Sequence, residues 1–229
     1  MRWSRARLGD LGPGLVLAPE RRLGAQAGRG PTLGDVAFAA SDRVTPEEIA
    51  REDLLVLDTT HLKDGLLDVR AAARAREAPA SSKRRLAPGD LLVSRLRPYL
   101  RQVALVHPRA IALAGGRGLA GSSELYVLRP RAPRASLAWL VPWLLSDETQ
   151  AALAAAQEGG HHPRVALDTV LALPLGAAAR PAPGASRAIE RAIARVYDAL
   201  AELERLAPIA PVKGGSRGVG RGRSTARHR

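Results

Sequence analysis

The segment at residues 83–106, KRRLAPGDLLVSRLRPYLRQVALV, constrains the fold of this chain more than any other. Leu91-Leu92-Val93 and the VALV run at 103–106 have the length of buried strands, and Pro88-Gly89 punctuates the chain just before the first of them. The pattern predicts a strand, a basic connection and a second strand. Lys83, Arg84 and Arg85 precede the turn, and Arg95, Arg97 and Arg101 lie between the apolar runs. A sheet made from these runs holds guanidinium groups at its edge, where arginine can fork onto phosphate or onto the O6/N7 edge of guanine. The plainer alternative for each of them is a solvated cationic rim.

Length and charge narrow the classes. A chain of 229 residues suits one substantial domain with an appendage. Thirty-five Lys and Arg against 22 Asp and Glu leave a formal charge of +13, carried almost entirely by arginine. Such a surplus favours a polyanionic partner. Nucleic acid is preferred to a membrane, because neither a basic amphipathic helix nor a long apolar span is present. The absence of cysteine excludes disulfides, thiolate metal sites and cysteine nucleophiles, and fits a reducing compartment. The apolar stretch near the N-terminus is too short and interrupted for a signal peptide, so the expected location is the cytoplasm.

Local signals place further elements. Trp3 and Leu8 suit an edge element over residues 3–17, and residues 19–32 read as a loop. Thr45-Pro46-Glu47-Glu48 marks a helix start. Residues 54–57 and 66–69 read as strands, with Asp58-Thr59-Thr60-His61 as a polar turn; residues 70–82 are a helical or mobile connection. Ile111 to Leu113 is expected to continue a strand, and the glycine-rich stretch around Arg117, residues 115–121, to form a flexible hairpin. Leu125, Val127 and their alternating neighbours suit a half-buried strand ended by Pro130. Ser136 caps a helix that Pro142 must bend or split, with Trp139 and Trp143 packing on the sheet. Ser146 starts a further helix that Gly159-Gly160 stops. His161-His162-Pro163-Arg164 makes a poor chelate, so no metal is expected there, and Arg164 is a candidate phosphate contact.

A Pro/Ala/Gly linker at 176–185 separates the domain at 1–175 from a helix at 186–207. There Ile189, Ile193, Val196, Leu200 and Leu203 recur at heptad spacing, which needs a cover, either the chain's own domain or a partner helix; the proline-rich linker tips the expectation towards a partner. The tail at 208–229 carries six Lys/Arg from Lys213 onward without an acid, and is expected to be disordered and electrostatically sticky.

Enzymatic patterns are missing. There is no Asn/Asp-Pro-Pro-aromatic run for amino-methyl transfer, no Asp/Glu-X-Lys nuclease core and no Gly-X-Ser-X-Gly elbow. Asp58, Asp90 and Glu124 read as turn, strand-start and arginine-pairing residues. A binder without catalytic residues, cofactor or metal is expected.

The order of the pieces carries more than any one of them. Leu8-Gly9-Asp10, then LAPGDLLVS at 86–94, SELYVLRP at 123–130, the helix ending near Ser146, Gly160 to Arg164 and LALPL at 171–175 together resemble the target recognition domain of type I restriction-modification specificity subunits. The resemblance implies a mixed α/β domain with a mostly antiparallel twisted sheet and packed helices, followed by a spacer-like helix that pairs with another such helix. It implies sequence-specific binding of double-stranded DNA, with adenine methyltransferase and restriction subunits as partners. The connection from Arg95 to Arg101 and the loop around Arg117 then face the duplex. Specificity subunits usually carry two recognition domains and two spacers. One of each, as here, implies a half-subunit that forms a homodimer through its C-terminal helix, or a solitary module. The alternative is an RNA-binding or non-specific nucleic-acid-binding adaptor; with aromatics at only 3%, base-stacking platforms are scarce.

Overall fold

The computed structural model describes residues 30–75, 80–159, 163–179 and 181–206. The expected edge element at 3–17, with Leu8-Gly9-Asp10, lies outside the described residues, as do His161, His162 and the basic tail.

The chain opens with α1 (Leu33–Val36), β1 (Ala37–Ala39), β2 (Arg43–Val44) and α2 (Pro46–Arg51). The start of α2 is a reciprocal cap. Glu48 N–H donates to Thr45 Oγ1 at 3.3 Å, Thr45 N–H donates to Glu48 Oε2 at 2.8 Å, and Pro46 sits in the first turn. Next come β3 (Leu55–Leu57), β4 (Leu62–Lys63), β5 (Leu66–Leu67) and α3 (Val69–Ala75). The central segment gives β6 (Lys83–Leu86), β7 (Leu91–Ser94), a 3₁₀ turn (Pro98–Leu100) and β8 (Val103–Leu105). Then follow α4 (Pro108–Leu113), β9 (Leu119–Gly121), β10 (Leu125–Pro130), α5 (Leu140–Leu144), α6 (Asp147–Ala155), α7 (Leu167–Leu171) and the long α8 (Ala185–Leu206).

The fold is mixed α/β, and its ladders are mostly antiparallel. In place of one sheet there are two of four strands, ordered β1-β10-β7-β8 and β2-β6-β9-β3, with β4 and β5 forming a small ribbon. Among the named strands of the described residues, β3 and β9 form the one parallel ladder. Strand β10 lies inside the first sheet and is buried from Leu125 to Leu128 on both faces, so it is a core strand rather than a half-buried one. The polypeptide reaches it from the second sheet through Ser122, whose N–H donates to Leu57 O at 2.8 Å.

Four other expectations are corrected. Residues 111–113 are helical, because Val106 ends the apolar run, His107 Nδ1 accepts from Arg109 N–H at 3.1 Å and Pro108 supplies the pre-set first turn of α4. The glycine stretch is not a flexible hairpin. Gly115 and Gly116, at φ +75° and +78°, end α4, and Leu119 to Gly121 is a buried strand. At Gly118 the backbone approaches Leu54 closely: a Cβ there would stand 2.6 Å from Leu54 Cδ2, and that side chain would have to shift to admit it. Pro142 neither bends nor splits a helix; α5 begins at Leu140, so the proline falls in the first turn, where no intrahelical N–H bond is lost. Ser146 does start α6, but that helix ends at Ala155, ahead of Gly159. Trp139 and Trp143 pack, partly buried, against the main core.

The long helix docks on its own domain. Tyr197 is 1% exposed, and its hydroxyl accepts from Leu67 N–H at 2.7 Å. Burial pushes its phenol pKa up to about 12. Ile193 is buried, and Ile189 and Leu200 pack against the same core. Polar pins flank them: Arg70 with Glu204 at 2.9 Å, Arg109 with Asp198 at 3.2 Å, and Ser136 Oγ donating to Glu190 Oε1 at 2.6 Å. Ile189, Ile193 and Leu200, expected on a partner-facing stripe, are therefore covered by the chain itself. The buried face runs 189-193-197-200, a spacing that turns the helix away from strict heptads. Val196, Leu203 and Leu206 are left exposed at 41%, 60% and 75%.

Candidate nucleic-acid interface

The cations of the central segment divide by sheet face. Side chains alternate along β6, so Arg84 shares a face with Leu86, which is in the main core, while Arg85 lies on the opposite face beneath α2. Arg85 forks onto Glu52 at 2.8 and 3.1 Å. That contact holds the Glu52 carboxyl below its ordinary range and raises the guanidinium. Lys83, on the Arg85 side, donates to Ser81 Oγ at 3.1 Å. Arg84 stands directly across the ladder from Arg43, and neither has a carboxylate partner among the described residues. Two cations opposed across strands repel each other. The sequence reading did not single out Arg43; its partner across the ladder becomes visible only once β2 and β6 are paired.

A second group gathers at the ends of β7 and β10. Arg95 N–H donates to Glu124 O at 2.9 Å, and the Arg95 guanidinium carbon lies 5.8 Å from the centre of the Tyr126 ring. The same side chain approaches Glu124 at 3.7 Å. Arg164 forks onto Glu124 at 2.9 and 3.0 Å, which raises its pKa. One carboxylate thus organises two guanidiniums. Tyr126 donates to Val165 O at 2.8 Å, tying the segment of Arg164 to the strand. Burial raises the Tyr126 phenol; Arg95 and Arg84 work against that rise while Glu124 and Asp168 add to it, which puts both Arg84 and Asp168 within electrostatic reach of this group. Arg97 N–H donates to Pro163 O at 3.0 Å, and its exposed side chain has no ion-pair partner among the described residues.

The remaining expected cations are held elsewhere. Arg101 pairs with Asp147 and donates to Leu145 O at 3.3 Å, fixing the β7–β8 connection to the start of α6. Arg117 binds the Asp53 carboxylate at 2.7 Å and its carbonyl at 3.0 Å, on the α2 side of the second sheet. Of the eight cations, Arg84, Arg95, Arg97 and Arg164 come together; Lys83, Arg85, Arg101 and Arg117 do not join them. The carboxylates expected to be structural act as such. Asp58 caps a separate 3₁₀ turn, Thr59–His61, and Asp90, 2% exposed, caps Ala87 N–H at 2.8 Å and binds Arg129 at 2.7 Å.

Among the described residues no group of three His, Cys, Asp or Glu is placed to hold a metal ion, and no helix is long and apolar enough to cross a membrane.

Two solved structures align with most of this chain. One comes from work on complex assembly and conformational transition of the type I R-M system, at 21% identity and a TM-score of 0.49, covering 79% of this chain and 45% of that one. The other is the HsdS subunit from Thermoanaerobacter tengcongensis, at 21% identity and a TM-score of 0.48, covering 78% and 44%. The chain spans less than half the length of either structure. No family model matches the sequence, and no curated protein matches it.

Proposed function

We propose that the chain is a non-catalytic recognition module that reads double-stranded DNA and gives sequence specificity to separate methyltransferase and restriction subunits of a type I-like system. The observation that carries this reading is the gathering of Arg43, Arg84, Arg95, Arg97 and Arg164, five guanidiniums that outnumber the neighbouring carboxylates Glu124, Glu158 and Asp168. These groups project from the ends of strands and from short tethered loops. A rigid base of that kind suits arginine forks aimed at base edges, since less ordering is needed on binding. Phosphate contacts would position the module and base-edge contacts would specify it. The basic tail from Lys213 would add affinity for any sequence. Randomised-duplex selection with the purified chain and its companion subunits tests the reading. Enrichment of one site supports it, and equal recovery of all sequences, or preference for structured RNA in competition, overturns it. If about six phosphates are neutralised, the logarithm of affinity falls with the logarithm of salt at a slope near −5.

The exposed edge of α8 supports a second element of the same proposal, a homodimer. Ala192, Val196, Ala199, Leu203 and Leu206 form an apolar seam spaced 4-3-4-3, and all five are exposed. An antiparallel second copy centred on Ala199 sets Ala192 against the partner subunit's Leu206 and Val196 near the partner subunit's Leu203, small against large. Arg187, Arg191 and Arg195 flank the first half of the helix, while Glu202 flanks the second half, where Asp198 is already paired with Arg109. Antiparallel pairing brings these opposite charges together, and parallel pairing does not. Sedimentation of wild type and Leu203→Glu checks this: a dimer that the substitution converts to monomer is expected.

A further inference from the structure

The connection between β7 and β8 carries a feature that arginine chemistry leaves unexplained. Tyr99 is 54% exposed and Leu100 48%, side by side in the 3₁₀ turn at its tip. The turn is not loose. Arg97 and Arg101 bracket it at φ +48° and +54°, the left-handed region that non-glycine residues rarely enter. Leu100 N–H donates to Arg97 O at 2.9 Å, Arg97 N–H to Pro163 O at 3.0 Å, and the Arg101 side chain is pinned to Leu145 O. The surrounding structure thus imposes an unfavourable backbone at both ends of a turn whose effect is to face two large apolar side chains towards water. Strain retained in this way marks sites where the conformation itself is used.

We propose that Tyr99 and Leu100 form an apolar tip that enters a groove of the duplex and packs on bases or sugars, while the neighbouring arginines hold phosphate. This rests on the DNA-recognition reading above. Charge complementarity selects the occupant. Arg97 adjoins the tip, exposed and without a carboxylate among the described residues, and Arg95 and Arg164 lie just behind it. A protein surface seated on Tyr99 would have to supply an anion to Arg97, whereas a nucleic-acid groove offers phosphates along its walls and apolar sugar faces and thymine methyl groups within.

Salt dependence separates the two kinds of contact, because ion release sets the slope and apolar burial sets the intercept. The full-length chain is titrated, alone and with its methyltransferase subunit, against a labelled mixed-sequence duplex of roughly three helical turns across a series of salt concentrations. Tyr99→Ala and Leu100→Ala are expected to weaken binding about tenfold at every salt concentration with an unchanged slope. Tyr99→Phe, which keeps the ring, is expected to bind as wild type. Arg97→Ala is expected to flatten the slope by about 1. Both tip side chains are about half exposed, and melting curves verify that the variants fold; each variant is read independently. A wild type that binds duplex, with both truncations indistinguishable from it, overturns this inference alone. So does normal DNA binding by the truncated variants combined with lost capture of the methyltransferase subunit, which would assign the tip to a protein contact. A wild type that binds no duplex overturns the recognition reading and this inference together.

Discussion

The two faces of β6 carry neighbouring arginines with opposite fates. On the α2 side, Arg85 forks onto Glu52, and Arg117 nearby locks onto Asp53, so each guanidinium stitches one segment of the fold to another. On the other side, Arg84 stands across the ladder from Arg43, and neither has a carboxylate partner among the described residues. Formal charge weighs these residues equally. Physically they differ, since a paired guanidinium has spent its fork on the protein, whereas an unpaired one beside another cation stands to gain from an external anion. The sheet tolerates that repulsion at its rim because water screens it.

The largest expected effect breaks the paired class. Arg129 binds the buried Asp90 at 2.7 Å and also contacts Asp42, joining β10 to the turn before β7 and to the segment after β1. Its guanidinium pKa is raised by those carboxylates. Arg129→Ala strands a carboxylate whose side chain is 3% exposed, and should cost about 3 kcal/mol in a urea titration. A loss no larger than that of an exposed pair would mean that Asp90 is adequately served by its backbone partners alone.

Next comes the contrast between Arg84→Ala and Arg85→Ala. The first should leave stability unchanged or raise it, by relieving the repulsion with Arg43, and should reduce the salt slope of duplex binding by about 1. The second should lower stability slightly, through loss of an exposed fork onto Glu52, and leave the slope alone. If the two variants exchanged these phenotypes, the division of β6 into a structural and a ligand-facing side would be inverted.

What could be read from the sequence, and what could not, follows the same line between local and distant chemistry. The cap at Thr45, the strands at Leu91 and Val103 and the helix after the 176–185 stretch depend on residues a few positions apart. Each was legible. Ile111 to Leu113 was misread because three apolar residues have no measurable period, and His107 with Pro108 decided the matter instead. The strand Leu119 to Gly121 hid within a glycine-rich stretch, since its ladders run to β6 and to β3, elements far away in the chain. The arginine site was half legible for the same reason. Composition announced a cationic surface, but whether a given guanidinium is free depends on carboxylates from remote segments, such as Asp147 for Arg101 and Glu52 for Arg85. On α8, the apolar stripe was visible, while its division between two seams depended on Tyr197, a residue whose hydroxyl finds its partners only in β5.

The smallest expected effect concerns a titratable group whose charged form the fold disfavours. His107 stacks on Tyr197 with ring centres 6.2 Å apart, and its Nδ1 accepts from Arg109 N–H to cap α4. Burial is the main influence pushing its pKa below the ordinary 6.5; Arg109 adds to this, while Glu190 and Asp198 oppose it. The sign follows from proton counting. Below about pH 6.5 the unfolded chain binds a proton that the folded chain still refuses, so stability present above that pH declines as pH falls, and the decline stops once folded His107 also protonates. Protonation of Nδ1 would also remove the acceptor that caps α4. His107→Asn keeps a capping oxygen without a titrating group. Urea midpoints measured on both sides of pH 6.5 should therefore fall less on acidification in the variant than in the wild type, and equal declines would place the acid sensitivity in the carboxylate partners of the paired arginines instead.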